Sequence, residues 1–176
     1  MVERKRTETH WPRWLARGAL GGLVAGAAFL AVTMWFATSV GDPAKGPLLM
    51  MSTIVEGDAA MANGTASAGV GLAVHAVLSA FFGVVFALVA SKLRTNGALA
   101  VAGPLYGAAL YLVNFKIFAP AAFPVLEMAN QPFELVVHVV FGTLLSLALF
   151  RLPSERQASV HEAHGGSQVP AGARTV

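Results

Sequence analysis

Leu72-Ala-Val-His75-Ala-Val-Leu-Ser79 and Leu135-Val-Val-His138-Val-Val-Phe-Gly142 place a histidine at matching positions in two apolar stretches. Neither stretch alternates apolar with polar side chains, as a barrel strand would, so both read as helices. An ionisable side chain inside an apolar span is costly to bury and marks a candidate functional position. A second pattern precedes each histidine. Gly22-Leu-Val-Ala-Gly26-Ala-Ala-Phe29 resembles Gly103-Pro-Leu-Tyr-Gly107-Ala-Ala-Leu110. Two matched patterns in the same order predict a duplicated helical hairpin, with the wider spacing in the first copy absorbed by a longer first loop.

Composition places these helices in a membrane. The chain has 176 residues, 56% hydrophobic and 12% charged, with mean hydropathy +0.64. A soluble domain carries about 25% charged residues. The deficit lies in four apolar runs, read as spans over 18–40, 69–91, 97–118 and 133–150. A helix needs about 20 apolar residues to cross a bilayer, and only helices and closed barrels satisfy their backbone there. The predicted fold is an all-α membrane protein. Its four transmembrane helices form two parallel hairpin repeats related by a pseudo-two-fold axis along the membrane normal.

Charge sets the orientation. Arg4, Lys5, Arg6, Arg13 and Arg17 precede the first span, Lys92 and Arg94 join spans two and three, and Arg151, Arg156 and Arg174 follow span four. The opposite side holds only Lys45 and Lys116, against Asp42, Glu56, Asp58, Glu127 and Glu134. The positive-inside rule then puts both termini in the cytoplasm. The same topology accounts for the net charge of +3 without a nucleic-acid partner. Residues 1–17 read as a basic cytoplasmic lead-in, with Trp11 and Trp14 as headgroup anchors beside Arg13 and Arg17. Residues 151–176, rich in small, polar and charged side chains, read as a disordered cytoplasmic tail. Pro47–Val55 is too short to span and reads as a short helix in the interface or plugging the bundle.

The candidate site follows from spacing. Gly71, His75, Ser79 and Gly83 recur at every fourth position, as do Glu134, His138, Gly142 and Ser146, so each set shares one helix face. Counted at 1.5 Å per residue, both histidines lie about 8–9 Å below the external surface, where they are expected to face each other across the bundle. Glu134 stands one turn before His138 and is expected to hydrogen-bond its ring. Asn114 and Lys116 join the cluster from span three, with Lys116 either snorkelling outward or pairing with Glu56, Glu127 or Glu134. Gly22, Gly26, Gly83, Gly103, Gly107 and Gly142 are expected to let helix backbones approach closely.

The leading expectation is a structural polar network in a non-enzymatic scaffold or accessory subunit of a larger, energy-transducing membrane complex, in contact with lipid and with other subunits or its own copies. The alternative is a cofactor protein. His75 and His138 would ligate haem b, with Gly142 admitting the macrocycle, or would hold a divalent metal with Glu134. A proton or small-solute transporter is third. Catalysis has no support: no P-loop, Gly-x-Ser-x-Gly or His-Glu-x-x-His pattern occurs, and the chain has no cysteine. Gly71-Leu-Ala-Val-His75, Gly103-Pro-Leu-Tyr-Gly107 and His138-Val-Val-Phe-Gly142 together resemble a broad group of small bacterial four-helix membrane proteins of unknown function, over residues 18–150. The resemblance implies a bacterial inner-membrane location and brings no activity with it.

Overall fold

The computed structural model describes residues 11–150, which are helical throughout apart from turns. The expected disordered tail, and Arg4, Lys5 and Arg6 of the lead-in, lie outside the described residues. Four helices are long and apolar enough to cross a membrane: α1 (Trp11–Ser39), α4 (Ala68–Ala90), α5 (Asn96–Tyr111) with its continuation to Ala122, and α7 (Gln131–Ala148). The first loop carries α2 (Gly46–Glu56) and α3 (Asp58–Ala62). The loop before α7 carries α6 (Ala119–Ala122) and a 3-10 turn, Pro124–Met128.

Local chemistry fixes the helix ends. Ser67, Thr95 and Asn130 are N-caps whose side chains accept the Val70, Ala98 and Phe133 amides. Gly41 takes φ 91° just beyond α1, and Asp42 N–H reaches back to Ala37 O at 2.8 Å. Within the described residues helix α1 already runs from Trp11, ahead of the predicted span, and carries Trp14 and Arg17 of the lead-in. Trp14 Nε1 donates to Ala87 O at 2.7 Å, and Arg17 donates to Ala148 O and Phe150 O, carbonyls at and just past the C-terminal end of α7. These two side chains tie α1 to the ends of α4 and α7, a role that the headgroup-anchor reading does not include.

The helices pack as two close pairs joined by α1. Helix α1 lies against α4 and α7, and α5 lies against α7. At the α1/α4 contact a Cβ on Gly22 would strike Ser79 O and stand 3.0 Å from Gly83 Cα. At the α5/α7 contact a Cβ on Gly103 would lie 2.5 Å from both Gly142 O and Ser146 Cβ. Gly26 faces Ser79 and His75, and Gly107 faces the His138 carbonyl. The stripes Gly71/Ser79/Gly83 and Glu134/His138/Gly142/Ser146 are buried, with His75 half-buried, while Leu72, Val77, Val136 and Val140 point outward. An apolar exterior over a small-residue interior suits helices that pack within lipid.

Between α5 and α6 the helix widens. Leu112–Phe118 is π-helical, and Ala119 N–H donates to Asn114 O. Pro120 cannot supply the amide that would continue an α-helical ladder. The predicted span 97–118 therefore extends as a helix with one irregular stretch rather than ending.

Gly142→Leu is expected to destabilise the protein by about 1–3 kcal/mol or prevent assembly, as overpacking does. Gly69→Ala, where a Cβ meets nothing closer than Ser67 Oγ at 3.7 Å, is expected to leave stability unchanged. Thermal melting of detergent-solubilised protein, read by size-exclusion chromatography, checks both.

Candidate functional site

Because α4 barely touches α5, a cleft remains between them. It is closed below by Tyr106, whose hydroxyl donates to Phe82 O at 2.8 Å and whose ring packs against Phe86. Above that closure a cavity of about 940 Å³ extends towards α2 and the Pro124–Met128 turn. His75, His138, Glu134 and Asn114 all line it. Spacing alone predicts these four at one end of the bundle, and the structure places them on the wall of one space.

Phe29 of α1 contacts both histidines, its ring centroid 5.7 Å from His75 and 4.9 Å from His138, edge-on to the latter. Helix α1, packed against both α4 and α7, brings it to both rings. Each ring is also fixed by a backbone carbonyl. His75 Nε2 donates to Gly26 O at 2.9 Å, with Ser79 Oγ at 3.4 Å. His138 Nδ1 donates to Glu134 O at 2.7 Å. The expected Glu134–His138 bond therefore runs to the main chain, and the Glu134 carboxylate stays 3.7 Å from Nδ1. A carbonyl can only accept, so each neutral ring keeps one bare nitrogen: Nδ1 of His75 and Nε2 of His138.

A haem held by both histidines would need both rings on one iron, and the Phe29 ring packs against both. Gly142, expected to admit the macrocycle, is covered by Gly103 O and Gly107 Cα at the α5 contact. Among the described residues no group of three His, Asp or Glu side chains is placed to hold a metal ion, so His75, His138 and Glu134 do not converge.

Lys116 is exposed, and of its two expected arrangements the carboxylate pair does not form. Its ammonium donates to Gln131 Oε1 at 3.0 Å and lies 5.6 Å above the Tyr111 ring, rather than pairing with Glu56, Glu127 or Glu134. Tyr111 Oη donates to the same Gln131 oxygen at 3.1 Å. Nothing in the sequence marks Gln131, which stands at the loop edge where α7 begins. Glu56, one of the expected partners, accepts the Ser67 amide instead.

The rest of the wall is aromatic and thioether. Nine of the eleven phenylalanines line the cavity, as do Met50, Met51, Met61 and Met128. Periodicity in the sequence cannot separate these rings from lipid-facing ones, since a lipid face and a cavity face are both apolar. The π-helical turn presents Asn114, Phe115 and Phe118 to the space, and such turns recur at functional sites.

A family model described as "Family of unknown function (DUF6789)" matches residues 13–160, and the chain belongs to that family. No curated protein and no solved structure matches it.

Gln131→Leu removes the shared acceptor of Tyr111 and Lys116. It is expected to cost about 1 kcal/mol, the worth of a typical hydrogen bond. Equilibrium unfolding of the purified protein in mixed micelles checks it.

Proposed function

We propose that this protein is a non-enzymatic accessory subunit of the bacterial inner membrane that holds a hydrophobic small molecule in the cavity between α4 and the π-helical turn. The observation that carries this reading is the cavity itself. Its volume is about 940 Å³, within the range of ligand sites, and its wall is mostly apolar with a few polar side chains at one end. Methionine-rich and aromatic walls adapt to varied apolar ligands. Phe81 and Phe118 line the space yet remain more than half exposed, so its mouth opens sideways between α4 and the π-helical turn, where molecules dissolved in lipid would arrive.

A duplicated hairpin is the framework for this cavity. Gly22 meets Ser79 and Gly83 as Gly103 meets Gly142 and Ser146, and these residues occupy corresponding positions of the two matched sequence patterns. Lysine and arginine bias supports cytoplasmic termini, which would put the cavity in the external half of the bilayer. The exposed apolar faces of α1 and α5, including Leu20, Val24, Val101 and Leu105, suit contact with lipid or with other subunits.

Two experiments test this reading. The cysteine-free chain permits single-cysteine labelling with a membrane-impermeant maleimide. Lys45→Cys is expected to label in intact cells and Lys92→Cys only after lysis; the reverse pattern would overturn the orientation. For the cavity, a benzophenone photoprobe in nanodiscs is expected to label Met50, Met51 and Met61 in preference to Met34. Ala37→Trp, at a buried position on the cavity wall, should reduce that labelling several-fold, as lost space implies. Labelling of Met50, Met51 and Met61 that Ala37→Trp leaves unchanged would overturn the binding role.

A further inference from the structure

We propose that the cavity selects lipophilic cations: molecules carrying an ammonium or phosphonium charge among aromatic or alkyl groups, with the charge set against Glu134. This rests on the reading of the cavity as a small-molecule site.

The charge on the wall has one sign. Glu134 lies deep in the cavity and Asp42 lies near its rim, and among the described residues no lysine or arginine lines it. The chain as a whole carries a net charge of +3, so the wall runs against the overall balance. The cation on the π-helical turn, Lys116, is turned to Gln131 and the Tyr111 ring. An anionic ligand would meet two carboxylates with no counter-charge in a low-dielectric space.

Asn114 can both donate and accept, while other polar groups of the wall are poised to accept. His138 has committed its Nδ1 proton to Glu134 O, and Thr33 has committed its hydroxyl proton to Phe29 O. What they present is lone pairs. The Glu134 side chain is largely buried, and its carboxylate makes no hydrogen bond, since the nearest donor, His138 Nδ1 at 3.7 Å, is already engaged. Among the described residues no fully buried side-chain nitrogen or oxygen lacks a partner. The Glu134 carboxylate and His138 Nε2 therefore open onto accessible space, and the cavity they line is that space. A neutral apolar ligand would leave this carboxylate unpaired, which is costly in such surroundings.

The aromatic wall completes the match. Ring faces attract cations electrostatically, and more strongly when the cation is desolvated. Phe29, Phe115, Phe133 and Phe141 come from three elements around Glu134 and His138, so a bulky cation would meet rings on several sides while its charge faces the carboxylate.

Tetraphenylphosphonium and tetraphenylborate share a shape and differ in charge sign. Binding of each is measured by equilibrium dialysis against the full chain in phosphatidylcholine nanodiscs, with empty discs subtracted. The wild type is expected to bind the phosphonium at least about tenfold tighter than the borate. Glu134→Gln should abolish that preference. Asn114→Lys, which adds a cation to the wall without altering Glu134, should invert it. Equal binding of both ions by the wild type, or a preference that survives Glu134→Gln, would overturn the cation assignment and leave the cavity reading standing. Binding of neither ion, together with labelling that Ala37→Trp does not change, would bring down the cavity reading itself. Should Glu134→Gln fail to assemble, the wild-type preference and its inversion in Asn114→Lys decide the question.

Discussion

Close approach of helix backbones at glycine is the constraint on which this architecture depends. The four long helices are apolar enough to cross a membrane, and within lipid no hydrophobic force would drive them together, so association would rest on dispersion contacts, which need atoms within reach. At Gly22/Gly83 and at Gly103/Gly142 the backbones meet with no room for a Cβ. That intimacy fixes the rotation of each helix in its pair. It turns Ser79 and Ser146 inward and carries His75 and His138 with them, since residues four apart share a face.

The cavity is a by-product of the same constraint. Helix α1 uses one face on α4 and another on α7, so it holds them apart. Helix α5 is drawn to α7 by its own glycines, and the Tyr106 ring and hydroxyl bridge it to α4. Four helices in this open order cannot fill their upper centre with side chains. The π-helical turn widens the space further by swinging Asn114 and Phe115 out of the α-helical register.

The two helix pairs differ where the cavity gains its charge. Position 71 of the first pair is glycine, and the Leu48 carbonyl of α2 fills the space where a side chain would stand. The matching position of the second pair is Glu134, which projects a carboxylate instead. The longer first loop thus supplies a helix to cover one pair, and the other pair keeps the acidic group. The histidines differ as well: one is held by a carbonyl of a neighbouring helix, the other by a carbonyl one turn back in its own.

The four long apolar helices, their buried stripes and the glycines at their contacts were legible in the sequence. Each depends on periodicity along one helix, which the chain writes directly. Turn and cap chemistry was equally local, as Gly41, Ser67 and Asn130 show. The ring that contacts both histidines was not legible. Phe29 belongs to a different helix, far from His75 along the chain, and nothing in its own neighbourhood tells whether its ring meets lipid or an imidazole. The same holds for the phenylalanine wall and for Gln131, whose role exists because Tyr111 and Lys116 arrive beside it. Helices, their inward faces and their close contacts are written in the chain, because they follow from spacing within one helix. Which apolar side chains line a cavity, and that His75 reaches the Gly26 carbonyl of α1, came from the assembled bundle alone, because both depend on the order in which helices stand around one another.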